Sequence, residues 1–210
     1  DAYPAAREYA TRSLGNLHAC AGKLLDADEK SEARRTLYAD QLFLRMARDP
    51  NPDPRLVVKL IDTLKKLRMY KQALSLIEDV PPDHLYYRMA ILLAADIHQT
   101  IMKQAQRVVE KIEKRAAEKE RELTEDEQAI VAEKKPIIEE HSTKAEEFAS
   151  IFVKMVDERP PNPTEEQQNV YQMEDDAIPG AFMIPINNQF QRGEYGKVLV
   201  ATKNYVEKIK

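Results

Sequence analysis

The side chains of this chain that could do chemistry are few: His18, His84, His98, His141, the lone Cys20, an acidic run at Asp49-Pro-Asn51-Pro-Asp53, and a basic run at Lys65-Lys66-Leu-Arg68-Met-Tyr-Lys71. No two histidines stand four apart, the spacing that would put two imidazoles on one helix face to share a metal. Asp49, Asn51 and Asp53 imitate the start of a calcium loop, but that loop needs Gly at its sixth position and Glu at its twelfth, and here those are Pro54 and Leu60. The run reads as a proline-rich turn between helices. Cys20 falls in a helical apolar stripe, and His18, two residues away, projects from a different face, so the thiol reads as a structural core group rather than an activated nucleophile. Phosphate-cradling glycine loops, nucleophile elbows and metalloprotease signatures are missing from the sequence. The clustered carboxylates Glu118, Glu120, Glu122 and Glu125 read as solvated helix charge. The expectation is a non-enzyme with no metal and no cofactor.

Composition points the same way. The chain has 210 residues, 32 Lys+Arg against 36 Asp+Glu and a formal net charge of -4, which disfavours bulk electrostatic binding of nucleic acid. The basic run at 65–71 could touch RNA. It reads better as a solvated helix end, where cations complement the helix dipole. With only 5 Gly and no Trp among abundant Ala, Leu, Glu and Lys, the composition favours long helices over sandwiches and barrels. No run of about 18 apolar residues is present to span a membrane. The chain begins at Asp1 without Met, which leaves open a removed targeting segment or a trimmed chain, and with it the compartment.

These side chains must be positioned by helices. Apolar spacing predicts helices over 3–25 and 29–48, then a break at Asp49–Pro54. A helix over 54–67 carries the stripe Val57, Leu60, Ile61, Leu64 and Leu67, and a shorter one ends at Val80-Pro-Pro-Asp83. From Leu85 a single stripe runs through Met89, Leu93, Ile97, Ile101, Ala105, Val108, Ile112 and Ala116. Thr124 followed by Glu127 is a capping box that starts a return helix with Ile130, Ile137, His141, Ala145, Phe148, Phe152 and Val156 in register. Two such stripes should zip as an antiparallel hairpin, with facing residue numbers summing to about 246, so that Ile101 meets Ala145 and Ile97 meets Phe148 or Ala149. Pro136 should bend the return helix. Prolines 160, 161, 163 and 179 predict a loose linker over 157–180 with a helical turn or two near 164–173, before a last helical pair over 181–191 and 194–208.

Three stretches repeat loosely. "LRMYKQALSLIEDVPPD" (67–83) and "FQRGEYGKVLVATKNYV" (190–206) place an aromatic (Tyr70, Tyr195) and then a small residue (Ala73, Val198) three positions on. Gly193 stands in one turn and Arg68 in the other. This pattern resembles the tetratricopeptide repeat, a helix–turn–helix unit of about 34 residues. The second unit starts near Arg88 and ends near Pro161, which leaves roughly 40 residues beyond one repeat, about 102–141, as a projecting hairpin.

The expected architecture is therefore all-α, a short tetratricopeptide-like helix–turn–helix solenoid with a projecting antiparallel coiled-coil hairpin. Its parts are N-terminal repeats over 1–101, the hairpin over 102–141 and C-terminal repeats over 142–210. The resemblance implies a protein–protein interaction scaffold, an adaptor subunit gripping a peptide or helix in the concave groove and docking neighbouring subunits on the arm. It would place Arg55, Asp62, Lys65, Lys66, Asp96, Gln99 and Asn187 on that groove. The alternative expectation is a nucleic-acid-binding helical repeat.

Overall fold

Leu56, Leu60, Ile61 and Leu64 recur every three or four residues and are all buried, which is why Arg55–Lys66 folds as a helix, α1. It begins the portion of the chain, residues 55–208, that a computed structural model describes. The helices expected over 3–25 and 29–48, the Asp49–Asp53 turn, His18 and Cys20 lie outside the described residues. Within them the protein is entirely helical. α1 is followed by α2 (Tyr70–Glu78), α3 (Tyr87–Glu118), α4 (Glu125–Asp157), α5 (Glu165–Gln191) and α6 (Tyr195–Lys208). None is long and apolar enough to cross a membrane. The chain divides into two compact units, the first ending at Leu93 and the second beginning at Ala94.

In the first unit α1 packs on α2. The buried face of α1 is close to the predicted stripe, with Leu56 and Thr63 joining it. The Thr63 hydroxyl donates to the Lys59 carbonyl at 2.7 Å, which satisfies it away from water. The turn into α2 closes through Arg68 in the left-handed region (φ 60), with Arg68 N–H on the Lys65 carbonyl and Met69 N–H on that of Leu64, both at 2.9 Å.

The second unit repeats that device twice. α3 ends with Glu120 at φ 49, bonded from Glu120 N–H to Ala117 O and from Arg121 N–H to Ala116 O, and α5 ends with Gly193 at φ 73 in the same pattern. Gly meets this conformation without a Cβ penalty; Arg68 and Glu120 do not. The capping box at Thr124 and Glu127 forms as the sequence predicts. Arg121 also grips Glu127 through two bonds of 2.7 and 2.8 Å, and this clamp holds the Glu127 carboxyl down at about 2.

The tail of the second unit departs from expectation. Residues 157–180 are not a loose linker, because α5 starts at Glu165 under a second capping box (Thr164 with Gln167) and runs unbroken through Pro179 and Pro185. Pro160, Pro161 and Pro163 do break the chain. Pro179 and Pro185 do not, because Val170, Ile178, Ala181 and Asn188 are buried along the same helix and hold it together across the lost hydrogen bonds. α5 is the hub of this unit, with α4 on one flank and α6 on the other.

Candidate functional site

The long helices bring two pairs of polar groups into contact, one half-buried and one buried. His98 on α3 and His141 on α4 meet with their Nδ1 atoms 2.7 Å apart, and His98 stacks flat on Phe148 with ring centroids at 5.5 Å. The residue numbers 98 and 148 sum to the expected 246. The imidazoles meet tip to tip, with centroids 4.9 Å apart, a geometry in which one Nδ1 donates its proton and the other accepts it. Burial above all pushes His98 down to about 4; proximity to His141 and Lys144 adds to the effect and Glu140 opposes it. His141 is lowered for the same leading reason. One residue further along α3, Gln99 and Asn188 exchange two amide hydrogen bonds of 3.0 Å each, both fully enclosed.

Arg192 closes the turn between α5 and α6. Its guanidinium donates to Glu146 at 2.6 and 3.1 Å, to the Ser142 hydroxyl at 2.7 Å and to Glu194 at 2.9 Å. At the other end of the unit the Lys208 ammonium pairs with Asp157. These two ties fix the start of α6 beside the middle of α4 and the end of α6 beside the end of α4. The two helices therefore run in the same direction, both antiparallel to α5, and a trough opens between them with α5 as its floor.

Two cavities adjoin here, the trough itself and a neighbour beneath α3. The first, of about 660 Å³, is lined largely by apolar and small groups, among them Ala149, Val153, Phe182, Pro185, Val200 and Ala201. The other, of about 960 Å³, lies between α3, α4 and α5, is reached from α6 only by Lys197, and holds the Arg192–Glu146–Ser142 network. Ser150, Pro185, Gln189 and Lys197 line both. α6 leaves Tyr195, Leu199 and Val200 at 62%, 72% and 61% exposure, of which Val200 alone lines the apolar chamber, and no residue of this helix is buried.

The expected groove residues are distributed differently. On α1, Arg55 is exposed, while Asp62 and Lys66 form an i,i+4 ion pair at 3.0 Å and Lys65 is half-buried beside them. Asp96 is half-buried on α3 and Asn187 is exposed on α5. Gln99 does not line an open groove; it is 6% exposed because Asn188, the neighbour of the expected Asn187, closes over it. None of these residues lines the trough, whose walls are α4 and α6, the second helices of the expected units. The exposed apolar residues of α6 were legible as a helix in sequence, but nothing local marks which side of it another helix will cover. Among the described residues no three His, Cys, Asp or Glu side chains converge to hold a metal ion.

No family model, curated protein or solved structure matches this chain.

Proposed function

We propose that this chain is a non-catalytic protein–protein interaction scaffold, an adaptor subunit of a larger assembly. In this reading its helices form a short tetratricopeptide-like array, and residues 102–141 project as a coiled-coil arm. The observation that carries the reading is α6, a helix with no buried residue that leaves Tyr195, Leu199 and Val200 exposed, with Val200 on the wall of an apolar trough. Apolar surface gathered in one place on a charged protein marks a surface that other proteins cover. Two further features support it. Three helix–turn–helix junctions close by the same left-handed residue and paired backbone bonds. Between Gln106 and Lys135 only Ala116 and Val131 are buried, as a two-helix arm outside the core requires.

The test is a photo-crosslinking residue placed at Leu199 and, as a control, at exposed Arg115, with the protein incubated in extract of its source cells. The scaffold reading expects a discrete adduct at 199 that Val200→Asp reduces at least severalfold. Adducts indifferent to Val200→Asp overturn it. RNA retention that falls steeply with salt would favour the nucleic-acid alternative.

A further inference from the structure

We propose that the trough between α4 and α6 receives an amphipathic helix of a partner protein whose apolar face is flanked by carboxylates. This rests on the scaffold reading and names the chemistry of its partner. The shape argument starts from the walls. α4 and α6 run in one direction on α5, tied at one end by Arg192 to Glu146 and at the other by Lys208 to Asp157, so the space between them is a channel that follows the helices. A fourth helix is the secondary structure that fills such a channel without leaving backbone groups unpaired. The floor and walls carry Ala149, Ala181, Gly196 and Ala201, which let a helix backbone approach closely, while Phe182 and Val200 supply apolar contact for its anchors.

Charge then selects among amphipathic helices. The protein as a whole is acidic, at -4, yet the apolar chamber is lined by two lysines, Lys154 and Lys197, against one aspartate, and that aspartate is already paired with Lys208. The ammonium groups of Lys154 and Lys197 stand in solvent, at 76% and 66% side-chain exposure. Their own carboxylate neighbours, Glu158 and Glu194, lie on the helix ends rather than in the chamber, and Glu194 is shared with Arg192. Lys197 stands beside the Arg192 tie and Lys154 one turn before the Lys208–Asp157 tie, so the two lysines mark the ends of the chamber, about two to three helical turns apart. An acidic residue near each end of the partner's apolar face would meet one of them. A basic amphipathic helix would meet repulsion at the same points.

Two synthetic helical peptides of about 20 residues test this on the full chain by fluorescence anisotropy. They share one leucine face and carry either Glu or Lys at flanking positions about three turns apart. The expected result is binding of the Glu peptide about tenfold tighter than the Lys peptide at low salt, an advantage that added salt erases and that Lys154→Glu with Lys197→Glu reverses. Val200→Asp should weaken both. Circular dichroism melts of each variant establish that it is folded. Equal affinity for the two peptides overturns the proposal. So does binding of neither while the Leu199 adduct persists, a result that leaves the scaffold reading standing. Concentration-dependent self-association abolished by Val200→Asp also overturns it, since a second copy would then be the occupant.

Discussion

Gln99 and Asn188, 89 residues apart in sequence, exchange both amide hydrogen bonds at 3.0 Å inside the second unit. Each side chain supplies the one donor and one acceptor the other lacks. The pair fixes the rotation of α3 against α5, because no apolar residue at either position would satisfy the remaining amide. Asn188→Leu should cost about 2–3 kcal/mol by leaving Gln99 unsatisfied, and Gln99→Leu a similar amount. The double variant should recover most of that loss. A urea double-mutant cycle checks this, and simple additivity would show that the two amides do not act together.

The His98–His141 pair predicts acid sensitivity. His98 has its folded pKa depressed from 6.5 to about 4 by burial, and His141 is lowered too. Between these values the unfolded chain takes up a proton that the folded chain refuses, so stability is full above pH 6.5 and falls as pH drops towards 4. A shift of this size corresponds to up to ~3 kcal/mol. The slope of melting temperature against pH in that window should flatten in His98→Phe, which keeps the stack on Phe148. The slope that remains belongs to His141 and His84, both lowered by burial, and towards pH 4 to Glu127, Glu140 and Glu194, which their cation partners hold below the usual carboxylate range. An unchanged slope would remove His98 from the account.

Two left-handed turn residues and one helical glycine offer stabilising changes. Arg68 and Glu120 hold positive φ at helix ends, so Arg68→Gly and Glu120→Gly should each stabilise by roughly 0.5–1 kcal/mol. Gly180 sits within α5, and a Cβ added there would meet nothing within 4 Å. Gly180→Ala should therefore gain about 1 kcal/mol of helix propensity, and a fall in melting temperature would contradict the open space.

Arg159 anchors the start of α5. It donates to the Tyr171 carbonyl at 3.1 Å, reaches the fully buried Glu174 at 3.4 Å and Asp175 at 2.5 Å, and lies over the Tyr171 ring at 4.7 Å. Arg159→Met keeps the bulk but withdraws the charge from an enclosed carboxylate. It should cost about 3 kcal/mol or more in denaturant unfolding, well beyond the loss of a surface ion pair. A loss under about 1 kcal/mol would mean that Glu174 is served by other groups.

Much of this architecture was legible in the sequence because its signals are local. Thr124 and Glu127 are three residues apart, and their capping box forms as expected. The 246 sum rule anticipates Phe148 against His98, but not His141, which meets the His98 ring seven residues out of that register. What the sequence hid depends on distant partners. Pro179 reads as a breaker until Ile178 and Ala181 are seen buried on either side of it. Gln99 reads as a groove residue until Asn188 covers it. His98 and His141 looked unrelated because only a turn between two long helices brings them together.

α6 touches the rest of its unit through Tyr205 against Phe182, Tyr195 against Phe190 and the terminal Lys208–Asp157 pair, with no residue of its own buried. A helix with so little interior grip is the first part of its unit to fray, and its amides should exchange with deuterium well ahead of those in α4 and α5. Whatever settles against it must also stiffen it. Slowed exchange across 195–208 would then report occupancy even where no change of shape can be seen.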